Sequence, residues 1–137
     1  MSKIIRSHRQ LDVHQLAFEL SQGIFLASKG FPREETYSLT DQIRRSSRSI
    51  TGSLAEGWRK RRYPAAFVSK LYDAEGEAAE TQSWIEHSVK CGYLARDEGA
   101  KLYRGYDRVL AMLVHMITHA DKWTFPAKPT DRIDRSC

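Results

Sequence analysis

Apolar residues recur at intervals of three and four along most of the chain, and no sustained stretch alternates with period two. The pattern predicts helices and no sheet. A first helix starts at Asp12, a suitable N-cap, and runs to about Ser28, with Val13, Leu16, Leu20, Ile24 and Ala27 as its buried stripe. Phe18 and Phe25 lie one heptad apart on a second side. Gly30-Phe31-Pro32 then breaks the helix, because proline cannot continue it. A second helix spans about Leu39 or Thr40 to Arg61, with Leu39, Ile43, Ser47, Ile50 and Leu54 as its stripe. Its interior is small: Ser46, Ser47, Ser49, Thr51, Gly52, Ser53 and Ala55. Such a sequence is a poor helix former alone, so packing against a close neighbour must hold it.

Pro64 suits the first turn of a third helix, which extends to Lys90. Phe67, Leu71, Ala74, Ala78, Thr81, Ile85 and Val89 keep a three-or-four spacing, while Asp73, Glu75, Glu77, Glu80 and Glu86 are placed outside. Cys91-Gly92-Tyr93 ends the helix, with Gly92 at the C′ position. A fourth helix runs from Arg96 to Lys122 and buries Leu102, Tyr106, Val109, Leu113, Met116 or Ile117, and Ala120. Four long helices with short connections predict an all-α, antiparallel up-down-up-down four-helix bundle. A length of 137 residues suits one domain, assigned to residues 1–125. The remainder, 126–137, is polar, contains Pro126 and Pro129, and is expected to be a flexible tail.

Charge sharpens this picture. The net charge of +5 favours an acidic partner such as RNA or DNA. Much of the positive charge falls on the second helix and its end: Arg44, Arg45, Arg48, Arg59, Lys60, Arg61 and Arg62, against Asp41 and Glu56. These seven are the candidate nucleic-acid contacts, since arginine suits bidentate phosphate recognition. Trp58 and Tyr63 lie close by and suggest stacking on an unpaired base. Two other readings stay open. Basic residues at a helix C-terminus are favoured by the macrodipole without any ligand, leaving a solvated face. Alternatively, the basic helix pairs with the acidic third helix, within one subunit or across an interface, as a protein-interaction scaffold without a nucleic-acid role.

No catalytic constellation is legible, and the chain is expected to be no enzyme and to carry no cofactor or metal. Glu56 has no second carboxylate near it in sequence and fits a buried or interface salt bridge, with an arginine as one partner type. Glu34 and Glu35 precede the second helix, where acidic residues are favoured electrostatically. His115 and His119 share a helix face, but none of His14, His87, His115 or His119 follows a glutamate three residues earlier, as a bundle metal site would need. Phe18, Phe25, Tyr72 and Trp84 fit subunit contacts better than a ligand cleft. Cys91 and Cys137 make neither a disulfide framework nor a metal spacing, and Cys91 is expected to be a small buried residue. There is no apolar run of membrane-spanning length, and the first residues lack a signal-peptide core. The expected location is the cytoplasm, with reduced thiols and no membrane partner.

Two segments carry a resemblance. Residues 11–25, LDVHQLAFELSQGIF, and 31–60, FPREETYSLTDQIRRSSRSITGSLAEGWRK, resemble the small four-helix-bundle proteins encoded by intervening sequences in bacterial large-subunit rRNA genes. The matching positions are Phe31, Pro32, Glu34, Glu35, Tyr37, Leu39, Thr40, Gln42, Arg44, Arg45, Ala55, Glu56 and Gly57, with Gly92-Tyr93-Leu94 further on. The chain departs from the pattern at Ile50-Thr51-Gly52-Ser53-Leu54, where relatives carry Ile-Pro-Ser-Asn-Ile, so the proline kink of relatives is not expected. The resemblance implies a bundle that assembles into a ring-shaped homo-oligomer, a homopentamer in relatives. It also implies kinship with accessory proteins of diversity-generating retroelements, basic rings that bind nucleic acid and a reverse transcriptase.

Overall fold

The computed structural model describes residues 4–126. These residues form four helices, α1 (Asp12–Ser28), α2 (Leu39–Arg59), α3 (Pro64–Lys90) and α4 (Arg96–Thr118), and no strand. Short 3-10 turns at His8–Gln10, Arg33–Glu35 and Ala120–Lys122 flank them. α1 packs on α2 and α4, and α3 packs on the same two helices. Ile24, Ile43, Ile50, Phe67, Leu71 and Leu113 lie at the centre of the core, each almost fully buried. None of the four helices is long and apolar enough to cross a membrane.

The helix ends follow local chemistry. Pro64 opens α3, where its missing N–H costs nothing. Gly92, at φ 81°, closes α3 in a Schellman arrangement: its N–H donates to the Val89 carbonyl, and the Tyr93 N–H donates to that of Ser88. α1 differs slightly from expectation. Its N-cap is Leu11, and Asp12 is the first helical residue, where a carboxylate still favours the dipole. α2 ends at Arg59 rather than Arg61, because the chain turns at Lys60, whose N–H donates to the Gly57 carbonyl. α4 ends at Thr118, and a separate 3-10 turn replaces its expected last residues. The tail expected from residue 126 lies, beyond Pro126, outside the described residues.

The buried face of α1 is smaller in side-chain size than its apolar stripe suggested. Ala17, Ser21 and Ser28 are buried, whereas Leu16, Leu20 and Ala27 are only half-buried at its edges. The same holds where α2 meets α3. Ser46 and Thr81 are fully buried and share a hydrogen bond of 2.8 Å. Gly57 faces α3 so closely that a Cβ there would lie 3.0 Å from the Lys70 Cβ. Small residues set these helix spacings, and they explain how α2 is held despite its weak intrinsic propensity. Cys91 is exposed, not buried, because it stands at the α3 terminus where the chain turns outward.

Candidate nucleic-acid interface

The seven basic residues of α2 and its end divide into three environments. Arg45 is engaged by α3: its Nη2 lies 2.8 Å from Glu80 Oε1, and its Nη1 lies 3.6 Å from Glu77 Oε1. The same guanidinium also reaches the Gln42 side-chain oxygen at 3.3 Å. Burial is the main cause that lifts the Glu77 carboxyl above its ordinary range, with Glu80 adding to it and Arg45 opposing. Arg45 therefore spends part of its charge inside the chain.

Arg44 and Arg48, one turn apart on α2, turn toward α1. Their guanidinium carbons lie 4.8 Å and 5.5 Å from the centre of the Phe25 ring. Lys29 approaches the same ring, with Nζ at 5.0 Å. Arg44 Nε also donates to Ser28 Oγ at 2.7 Å. The sequence placed Phe25 on a second side of α1 and assigned nothing to Lys29. Their spacing of four residues, from the last turn of α1 to its C-cap, was the available signal.

The cluster at the end of α2 has one structural member and three exposed ones. Arg61 lies 3.5 Å from the centre of the Trp58 ring and 4.8 Å from that of Phe125. Its Nε donates to the Trp58 carbonyl at 2.9 Å, and its own carbonyl accepts from the Phe125 N–H at 3.1 Å. Desolvation, then the neighbouring Arg59 charge, lowers its ordinary basicity. Trp58 is 4% exposed and covered by Arg61, so it offers no face to a base. Tyr63 remains exposed. Arg59, Lys60 and Arg62 are exposed, and no described carboxylate lies within ion-pair distance of them or of Arg48.

Glu56 is exposed rather than buried, and pairs with a lysine rather than an arginine. Lys70 Nζ lies 2.7 Å from its Oε2, and 3.7 Å from Asp73 Oδ2. The hydrogen bond to Lys70, then the Lys70 charge, holds the Glu56 carboxyl below the ordinary range. Glu56, Asp73, Glu77 and Glu80 line a polar cleft of about 530 Å³ between α2 and α3, beside Tyr72.

Glu35 fastens the loop that leads into α2. Its Oε1 accepts from Ser38 Oγ at 2.5 Å and from the Leu39 N–H at 3.4 Å. Its Oε2 accepts from the Tyr93 hydroxyl at 3.1 Å, and the Phe31 and Tyr93 rings are 5.7 Å apart. His115 and His119 stack at 4.3 Å, and His119 Nδ1 meets the His115 carbonyl at 2.9 Å. Among the described residues no group of three or more His, Cys, Asp or Glu side chains is placed to hold a metal ion.

The class is therefore an all-α protein of four helices, with a basic helix packed on an acidic one. The chain belongs to the 23S rRNA-intervening sequence protein family, whose pattern matches residues 9–115. A solved structure of similar fold is a protein of unknown function from the S23 ribosomal protein family of Bacteroides thetaiotaomicron. It is 25% identical, covers 77% of this chain and 97% of its own, and superposes with a TM-score of 0.70. No curated protein matches the chain.

Proposed function

We propose that the protein is a non-enzymatic, basic four-helix bundle that binds RNA or DNA through phosphate contacts. One observation carries this reading: Arg48, Arg59, Lys60 and Arg62 stand exposed on one helix and its following turn, with no carboxylate within ion-pair distance among the described residues and only the longer-range charge of Glu56 acting on Lys60. Unpaired cations on a rigid element are an electrostatic footprint for a polyanion. Arg44 adds to this face; Arg45 and Arg61 contribute less, because Glu80 and Trp58 already engage them. The up-down-up-down arrangement fits the short connection at residues 60–63 and the packing of each helix on two others. Assembly into a ring of five would repeat the basic face and raise affinity by avidity. A role as accessory subunit to a reverse transcriptase of a diversity-generating retroelement, in the cytoplasm, belongs to the same reading.

The test is fluorescence anisotropy with labelled single-stranded RNA and duplex DNA across a salt series. Each neutralised phosphate contributes about −0.9 to the log–log slope on duplex and about −0.7 on single strands. A steep slope that is lost in the quadruple variant Arg48→Glu, Arg59→Glu, Lys60→Glu, Arg62→Glu, with helicity retained, supports the reading. No binding at low salt defeats it.

A scaffold reading also has an observation in its favour. The cleft lined by Glu56, Asp73, Glu77 and Glu80 complements the basic end of α2 in charge. If a neighbouring subunit's basic helix docks there, the same variants break the oligomer, which light scattering detects.

A further inference from the structure

The three cations around Phe25 form an arrangement that the chain alone leaves electrostatically unresolved. Phe25 on α1 and Lys29 at its C-cap are four residues apart, and Arg44 and Arg48 are four apart on α2. Each helix thus contributes two residues to one junction. All three charges lie between 4.8 and 5.5 Å from the same ring centre. No two of them can then be farther apart than about 10 Å, which is comparable with the screening length of about 8 Å at physiological salt, so part of their repulsion survives. Cation–π attraction is worth only about 0.5–1 kcal/mol at exposed sites and carries no negative charge to neutralise them. Among the described residues no carboxylate lies within ion-pair distance of Lys29, Arg44 or Arg48.

The geometry points to a phosphate-binding tripod, in which Lys29, Arg44 and Arg48 share one phosphodiester above the α1–α2 junction. The inference rests on the nucleic-acid reading and adds Lys29 and Phe25 to it. Arg44 is pre-positioned, because its Nε is held by Ser28 Oγ. Its terminal nitrogens stay available for the fork geometry that phosphate oxygens accept. Lys29 supplies a point charge from the other helix. The Phe25 ring is a platform for the cations and is only half-exposed, so it does not stack on bases. The site therefore reads the backbone and is indifferent to base identity.

The test compares the full-length protein with Lys29→Gln, Arg48→Gln and the double variant, using labelled oligouridine and oligoadenine of equal length. Circular dichroism checks that helicity is unchanged. Each single change is expected to weaken binding roughly tenfold, as for loss of a charge-assisted hydrogen bond. The double variant is expected to lose less than the product of the two, because both side chains serve one phosphate. The losses are equal on both oligonucleotides, and Lys29→Arg restores binding. Unchanged affinity in Lys29→Gln, with loss in Arg59→Gln/Lys60→Gln/Arg62→Gln, overturns the tripod and leaves the nucleic-acid reading standing. Additive losses, or a loss confined to one base, also overturn it. Absence of binding by the unaltered protein removes both.

Discussion

The Tyr93 hydroxyl donates a hydrogen bond of 3.1 Å to Glu35 Oε2, across 58 residues of sequence. The contact ties the loop before α2 to the turn between α3 and α4. The other carboxylate oxygen of Glu35 accepts from Ser38 and from the first N–H of α2, so one side chain both starts a helix and anchors its loop. The Ser38 hydrogen bond holds the Glu35 carboxyl below the ordinary glutamate range; desolvation opposes it, and the hydrogen bonds from Tyr93 and then Leu39 add to the lowering. A depressed folded-state value means the ionised form is favoured by folding. The stabilisation is complete above the unfolded-state value and is lost as pH falls through the folded one. Glu35→Gln should therefore lower Tm at neutral pH, and the difference from the unaltered protein should shrink as pH falls below the ordinary glutamate range. Thermal melts from pH 7 to pH 3 check this; a gap independent of pH would mean that the carboxylate charge is not involved.

Arg61 and its neighbours should separate by role. Arg61→Ala removes the contacts to Trp58 and Phe125 and should cost about 1 kcal/mol, the scale of a partly desolvated cation–π contact. Arg59→Gln, Lys60→Gln and Arg62→Gln should each change stability by less than about 0.5 kcal/mol, as exposed positions do. Nucleic-acid affinity should show the reverse ranking. Denaturant titrations beside anisotropy measurements decide the matter, and an Arg61→Ala variant of normal stability would contradict the structural role.

Glycines in α2 and α3 should respond in opposite directions. A Cβ at Gly52 or Gly76 would meet nothing within 4 Å. Gly52→Ala and Gly76→Ala should then gain up to about 1 kcal/mol from helix propensity. At Gly57 even a Cβ comes within 3.0 Å of Lys70, so Gly57→Leu should cost about 1–3 kcal/mol through overpacking. Urea denaturation of the three variants measures both signs.

Tyr106 carries a buried hydroxyl with no hydrogen-bond partner among the described residues, and burial pushes its ionisation far above the ordinary phenol range. An unsatisfied buried polar group costs about 1–3 kcal/mol. Tyr106→Phe keeps the ring and removes the oxygen, so Tm should stay level or rise. A marked fall would show that a buried water satisfies the hydroxyl.

Helix starts were legible because proline, glycine and the apolar period mark them: Pro64, Arg96 and the Gly92 terminus all fall where the sequence puts them. The buried serines were less so. Ser21, Ser28 and Ser46 have no hydrophobic signature, and only the close approach of two helices encloses them. The candidate site was half legible. Its concentration of charge could be read directly, but partner choice depends on the register between helices, which a single helix does not encode. Arg45 meets Glu80, Arg44 meets Phe25, and Glu56 meets Lys70 for that reason. Trp58 drew attention as an aromatic beside arginines; its burial follows from the turn at Lys60, which folds Arg61 back over it.

The Ser46–Thr81 contact couples the stability of α2 to that of α3. α2 draws its helicity from α3, so the two cannot be independent cooperative units. A peptide of α3, rich in alanine and glutamate, should show partial helicity in water, whereas a peptide of α2 should show almost none. In the intact chain, α2 amides should exchange with deuterium only when the α2–α3 pair opens as a whole. The basic face would then persist as long as α3 stays docked, and be lost together with it.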